Sequence, residues 1–254
     1  MTFEHFSDGS SFLHQADPRG KLVSTGVLSL VIALSQTWPT ALLSMLLAVL
    51  LILAAQLSWT KLFQRLLIVN SFNLLFCLIL PLTYTGDKDI AFVGIGLSST
   101  GLFLALLITV KCNAVLLIFI SLLATSTAAQ LGHGLQRLRV SPKLCLLFLF
   151  SYRYITLIQQ ELLRLQRAAT LRCFQPGTNL HTYKTYSYML GMMLVRSWNR
   201  AARVQQAMAL RGFSGKFYSL YTTKGIQKND LLLLTTLLLS GTGLVIIEIL
   251  SRQV

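Results

Sequence analysis

Acidic residues are scarce in this sequence of 254 residues, which holds 8 Asp and Glu against 22 Lys and Arg. Charged residues of both signs make up only 12% of the chain, whereas 54% is hydrophobic and the mean hydropathy is +0.65. This composition excludes an ordinary water-soluble domain and indicates several membrane-spanning segments. Residues 1–21 are polar and include acids, so they are not expected to form a signal peptide.

The sequence also lacks the side-chain clusters that metal sites and catalytic sites need. Four cysteines show no C-x-x-C spacing, and three of them lie in apolar runs, where we interpret them as small hydrophobic residues. No Walker A motif, phosphate-binding loop or catalytic triad is present. We therefore expect a chain that is not an enzyme and holds no cofactor and no metal. The histidines are far apart, at His5, His14, His133 and His181.

Apolar runs predict an all-α membrane protein with about five transmembrane helices and a cytoplasmic domain of long helices. The predicted domains are an N-terminal membrane part (1–124), a helical cytoplasmic segment (125–228) and a C-terminal span (229–254). The runs that suggest the five spans are 22–36, 40–57, 66–82, about 99–124 and 231–250.

Lys111 interrupts the longest apolar stretch, residues 90–124, and leaves two interpretations open. In one, a Gly-rich lead-in precedes a single helix from about Ser99 to Ala124, which places Lys111 near the middle of the membrane. A charge at that depth is costly unless it faces protein or water. In the other, two short spans are broken at residues 111–113.

Positive charge is concentrated in one block. Residues 137–224 hold 14 Lys and Arg but a single acid, Glu161, which gives this block a net charge of +13. The rule that basic loops stay inside predicts a cytoplasmic block and N-terminus in the plasma membrane, with the acidic loop 87–89 outside. Such a block suits anionic lipid or an acidic protein surface, whereas no nucleic-acid-binding motif is present.

Helix signals divide this block. A short helix is predicted over 125–138, and Ser141-Pro142 then starts a long helix that ends near Phe174. Pro176-Gly177 breaks the chain before a second long helix, from about Tyr183 to Phe213, which Gly212 and Gly215 close. Arg196, Arg200 and Arg203 share one face of that helix.

The two long helices end in matching segments, with Arg172 and Arg211 lying 39 positions apart and each followed two residues later by Phe. An Arg at one helix end is usually a routine cap, but two matched ends suggest a paired contact with a carboxylate-bearing partner. A basic anchor on the lipid surface is the alternative. The predicted contact residues are Leu171, Arg172, Cys173, Leu210, Arg211 and Gly212, supported by Arg164, Arg167, Arg200 and Arg203.

The chain resembles the transmembrane (T) component of energy-coupling factor (ECF) transporters, closest to the cobalt- and nickel-type (CbiQ-like) branch. The resemblance covers most of the chain and is most specific from Gly191 to Gly215, including Arg196-Ser197, Arg200-Ala201, Arg203-Val204, Ala207-Met208 and Arg211-Gly212-Phe213. Further matching residues are His14, Asp17-Pro18-Arg19, Lys21-Leu22, Thr125-Ser126-Thr127, Ser151-Tyr152-Arg153-Tyr154, Glu161 and Arg164.

This resemblance implies a scaffold that inserts two Ala-Arg-Gly helix ends into grooves of two ABC-type ATPase subunits. It also implies a separate substrate-binding (S) membrane subunit, with cobalt, nickel or a vitamin as solute. Here the motifs read Leu171-Arg172-Cys173 and Leu210-Arg211-Gly212. Cys tolerates a positive φ poorly compared with Gly, which leaves open how tightly the first end turns. The functional alternative is a stand-alone carrier or a protein anchored at the lipid surface.

Overall fold

A computed structural model describes Leu13 and residues 16–57, 59–83, 90–92, 95–215 and 228–253. These residues form eight α-helices and one short antiparallel strand pair, which confirms the all-α class and adds a small hairpin. In chain order the elements are α1 (Pro18–Leu34), α2 (Trp38–Ala55), α3 (Trp59–Thr83), β1 (Ile90–Phe92), β2 (Ile95–Leu97), α4 (Ser99–Leu122), α5 (Ala128–Arg137), α6 (Pro142–Thr170), α7 (Leu180–Leu210) and α8 (Lys228–Gln253).

The chain divides into two compact units. Met1–Leu135 and Lys224–Val254 form the first, which we call the membrane unit, and Gln136–Thr223 form the second, which we call the basic unit. The predicted acidic loop 87–89, together with His5 and His14, lies outside the described residues.

Four of the described helices are long and apolar enough to cross a bilayer, namely α2, Leu62–Thr83 of α3, α4 and Asp230–Ser251 of α8. The remaining predicted span is α1, whose 17 residues extend about 26 Å, less than the roughly 30 Å of a bilayer core. Leu28 and Ile32 of α1 are buried in the same apolar core as residues of α2, α4 and α8. Thus α1 is a short helix whose apolar side chains pack in one core with residues of the longer apolar helices.

Small side chains allow the membrane helices to approach each other closely. Ala41, Ala48 and Ala114 are completely buried. At Gly101 of α4, an added Cβ would lie only 2.9 Å from the Cα of Pro81 in α3, so a larger residue would force these helices apart. Small residues at these positions therefore allow the helix backbones of this unit to lie in close contact.

Polar side chains tie the start of α1 to two distant parts of the membrane unit. The Lys21 ammonium group is completely buried and donates to the hydroxyl of Ser126, just before α5, at 2.8 Å. The backbone N–H of Asp17 donates to a carboxylate oxygen of Asp230, at the start of α8, at 3.0 Å. Complete burial makes Lys21 an internal contact of the membrane unit.

The helix α4 runs without a break through Lys111, which favours one long span over two short ones. Lys111 donates to the backbone carbonyl of Ser35, immediately after the end of α1. Its charge therefore faces protein, the condition under which a charge at this depth is tolerated.

The turn between α1 and α2 is also held by a carboxylate from α8. Glu248 accepts hydrogen bonds from the backbone N–H of Gln36 at 2.8 Å and from the hydroxyls of Thr37 and Thr40 at 2.8 and 2.9 Å. An anion at the first turn of α2 is favourable, because unpaired N–H groups and the positive end of the helix dipole meet there.

Two long helices, α6 and α7, dominate the basic unit. Ser141 and Pro142 start α6 as predicted, although the Ser141 hydroxyl makes no capping hydrogen bond. The helix ends at Thr170 and continues into a turn, slightly before the predicted end near Phe174. Within α6 and α7, the buried side chains are Cys145, Glu161, Thr182 and Met189.

Candidate functional site

The first of the matched helix ends, at the C-terminus of α6, is a tight left-handed turn. The N–H of Phe174 donates to the carbonyl of Ala169 at 3.1 Å, and the N–H of Cys173 donates to the carbonyl of Thr170 at 3.0 Å. Cys173 has a φ of +61°. Together these features form the Schellman motif that ends many helices.

The second end, at the C-terminus of α7, repeats this geometry. Phe213 donates to Met208 at 3.1 Å, and Gly212 donates to Ala209 at 3.0 Å, with a φ of +76° at Gly212. Every donor and acceptor lies 39 positions after its counterpart in the first end. The cysteine therefore does not prevent the first end from turning as tightly as the second.

Each turn presents an apolar residue and a base to solvent. Leu171 is 86% exposed and Leu210 is 90% exposed, more than any other large hydrophobic residue that the structure describes. Arg172 and Arg211, the next residues, are also exposed. An exposed Leu-Arg pair offers both apolar area and a guanidinium that can bind a carboxylate on another protein.

Aromatic side chains of α7 pack against the first turn. The Phe174 ring is half-buried and lies edge-on to Tyr186 of α7, with their centroids 5.8 Å apart. His181 lies 6.3 Å from the same ring. Phe174 therefore anchors the first turn while Leu171 and Arg172 stay exposed.

Glu161 gathers three arginines from the two helices. Its carboxylate pairs with Arg196 and lies 3.6 Å from Arg164 and 3.9 Å from Arg200. The hydrogen bond from Arg196 is the largest cause that lowers the pKa of Glu161, and burial of the carboxylate opposes it in part. The charges of Arg196, Arg164 and Arg200 lower that pKa further.

This cluster was only partly foreseen. Of the four predicted supporting arginines, Arg164 and Arg200 meet at Glu161, while Arg167 and Arg203 are exposed elsewhere on the helices. The sequence signal for its centre was available, because Glu161 is the single acid in a block of net charge +13.

No metal-binding cluster exists among the residues that the structure describes, taken as groups of three or more His, Cys, Asp or Glu. A cavity of about 630 Å³ in the membrane unit is lined mostly by apolar side chains of α1 and α4, with Lys111 as its charged member. Transition-metal ions need several converging anionic or imidazole ligands, so this cavity does not suit them.

Comparison with known proteins places these features in a family. A family model described as "Cobalt transport protein", CbiQ, matches residues 9–220. The energy-coupling factor transporter transmembrane protein EcfT of Macrococcus caseolyticus is 26% identical over 229 residues, covering 85% of each chain. EcfT of Streptococcus equi is 27% identical over 221 residues, covering 82% of this chain and 81% of that one. The cobalt transport protein CbiQ of Rhodobacter capsulatus is 27% identical over 144 residues, which cover 57% of this chain and 59% of that one.

Proposed function

Because this chain belongs to the CbiQ family of transporter transmembrane components, we propose that it is the coupling subunit of an ATP-driven ECF-type importer. The observation that carries this proposal is the pair of Schellman turns, related by 39 positions, each with an exposed Leu-Arg pair. Two equivalent protrusions suit two equivalent partners, which supports a dimer of ABC-type ATPase subunits. ATP hydrolysis then belongs to those partner chains.

Exposed apolar side chains on α7 support a further, membrane-embedded partner. Leu190, Leu194 and Trp198 are 58%, 72% and 77% exposed and follow one another at intervals of four residues, so they form one apolar stripe on α7. A contiguous exposed apolar patch marks an interaction surface. We assign it to the substrate-binding S component.

That S component, rather than this chain, holds the solute. The family points first to cobalt, with nickel next and a vitamin as the alternative. The described residues of this chain supply no metal-binding cluster that would hold such an ion.

The basic unit is proposed to face the cytoplasm from the plasma membrane, with the N-terminus on the same side. The support is its charge, since basic segments remain on the cytoplasmic side. A single Cys replacing Asn179 in a Cys-free background should react with an impermeant thiol reagent only after cells are opened. Labelling of intact cells would reverse the orientation.

Pull-down of the ATPase chains tests the central proposal. Arg172→Ala combined with Arg211→Glu should abolish their recovery, because losing one partner of a buried charge pair costs about 2–5 kcal/mol. Across both contacts this corresponds to several decades of affinity.

A double variant with the same change in charge provides the control. Lys143→Ala with Arg153→Glu alters two exposed bases in the first half of α6, before the first turn in sequence, and should preserve ATPase recovery. Parental recovery by the Arg172/Arg211 variant would contradict the proposal and favour a stand-alone carrier or a lipid-anchored protein.

A further inference from the structure

The 39-position offset relates more than the two turns. It also relates Glu161 to Arg200, and these two side chains lie 3.9 Å apart between α6 and α7. The Glu161 cluster therefore joins equivalent positions of two equivalent helices. Neither the ATPase contact nor the solute partner explains why the helices should meet at this point.

The two helix arms beyond this point have equal lengths. Glu161 precedes Arg172 by 11 residues, and Arg200 precedes Arg211 by 11 residues. At 1.5 Å per residue each arm is about 16 Å long, or about three helical turns. Because the arms contain nearly whole turns, each terminal Arg returns close to the helix face that carries the Glu161 cluster.

The negative charge of Glu161 is needed for α6 and α7 to lie close together at this point. Arg164, Arg196 and Arg200 converge on one carboxylate, so the cluster still carries two net positive charges with Glu161 present. Without that carboxylate, the arginines of α6 and α7 would repel each other. Removing Glu161 would therefore replace an attraction between the helices with a repulsion.

Other packing at this point is sparse. A cavity of about 190 Å³ lies beside the cluster, lined by Tyr154 and Ile158 of α6 and by Ser197, Arg200 and Ala201 of α7. Glu161 is itself one of the few buried side chains of α6. Apolar contact alone therefore does not fill the space between the two helices here.

We propose that Glu161 is a positioning residue that, through Arg196 and Arg200, fixes the angle between two equal arms carrying Arg172 and Arg211. Movement of either arm is then transmitted to the other, and both turns are presented together in one geometry. This inference rests on the proposed function only where it concerns ATPase coupling. The arrangement of the arms is a property of this chain alone.

Distance measurement between the turns tests the arrangement without any partner. Spin labels at Gln175→Cys and Ser214→Cys, which are exposed and also 39 positions apart, would report the separation in the full-length chain. The native cysteines are replaced first, with Gly used at Cys173. Pulsed EPR should give one narrow distribution for this parent and a broader or shifted one for Glu161→Gln.

Matched variants separate a specific role from general damage. Arg196→Gln should broaden the distribution, whereas Arg203→Gln, which removes the same side chain from an exposed site of the same helix outside the Glu161 cluster, should not. Exchanging the charges, Glu161→Arg with Arg196→Glu, should restore the narrow distribution. Parental distributions for both Glu161→Gln and Arg196→Gln would overturn the proposal, and Arg196→Gln decides alone if Glu161→Gln does not fold.

The assembled transporter provides the second readout. In complexes matched for ATPase content, Glu161→Gln should lower solute uptake per ATP hydrolysed about tenfold, the size of a typical coupling between two sites. Uptake per ATP equal to the parent would contradict a role in coupling. Failure of the parent itself to bind ATPases would instead defeat the proposed function and leave the EPR result standing.

Discussion

The membrane unit and the basic unit satisfy their side chains in different ways. In the membrane unit even charged groups are directed inward, as with buried Lys21 at Ser126 and Glu248 at the first turn of α2. In the basic unit, the two fully described helices α6 and α7 bury only Cys145, Glu161, Thr182 and Met189. The membrane unit therefore has a buried core with internal polar contacts, whereas α6 and α7 of the basic unit leave most of their side chains exposed.

The two units should differ most in the loss of unfolding free energy when a buried charge of the membrane unit and an exposed charge of the basic unit are replaced. Lys21→Ala removes a completely buried side chain, which leaves a cavity and an unpaired Ser126 hydroxyl, at a combined cost of about 3–5 kcal/mol. The exposed Lys143 of the basic unit is the control, and Lys143→Ala should change stability by less than about 0.5 kcal/mol. The free energy of unfolding in detergent micelles measures both. Equal losses would show that Lys21 is not an internal contact.

Replacing one leucine in each unit by alanine should also give different losses of stability, with a slightly smaller difference than for the lysines. Leu28→Ala opens a cavity at a completely buried site of α1 and should cost about 2–4 kcal/mol. Leu194→Ala, at a site 72% exposed on α7, should change the stability of the isolated chain by less than about 0.5 kcal/mol. A similar loss for both leucines would mean that α7 is covered by its own chain.

The sequence allowed the helices and the paired ends to be predicted because both depend on local signals. Apolar length identified the spans, and Pro142, Gly212 and the repeated Phe marked the ends of the long helices. The left-handed turn at Cys173 could not be decided locally. Hydrogen bonds from Phe174 and Cys173 to the preceding helical turn hold it where local preference favours Gly.

Contacts between charged side chains and residues far away in sequence were the least predictable feature. Lys21, near the start of α1, and Lys111, in the middle of α4, contact Ser126 and Ser35, which lie 105 and 76 positions away. Glu161 likewise meets Arg196 across 35 positions. Such pairings depend on how the helices pack, and the residues next to each charge in the sequence do not indicate that packing.

Acidification should weaken the contact between Glu161 and Arg196 in the basic unit. The pKa of Glu161 is lowered from its ordinary value of 4.5, mainly by the Arg196 hydrogen bond and further by the charges of Arg196, Arg164 and Arg200. The ionised carboxylate therefore stabilises the fold above pH 4.5, and this contribution disappears as pH falls through the lowered pKa. Unfolding free energy measured from pH 7 downward should drop more for the parent than for Glu161→Gln. Parallel pH profiles would contradict this assignment.

The smallest expected effect concerns the two turns, which share hydrogen bonds but differ at one residue. A non-glycine residue in the left-handed region costs about 1–2 kcal/mol, while glycine adds roughly 0.4–1 kcal/mol of unfolded-state entropy. Cys173→Gly should therefore stabilise the first turn by about 0.5–1 kcal/mol, and Gly212→Ala should weaken the second by a similar amount. Hydrogen exchange reports each turn separately, through the N–H groups of Phe174 and Phe213.

Cys173→Ala is the control, because it removes the thiol but keeps the left-handed strain, so Phe174 should exchange at the parental rate. Slower exchange at Phe174 in Cys173→Ala would assign the effect to the thiol, and no slowing in Cys173→Gly would show that the backbone at Cys173 stores no strain.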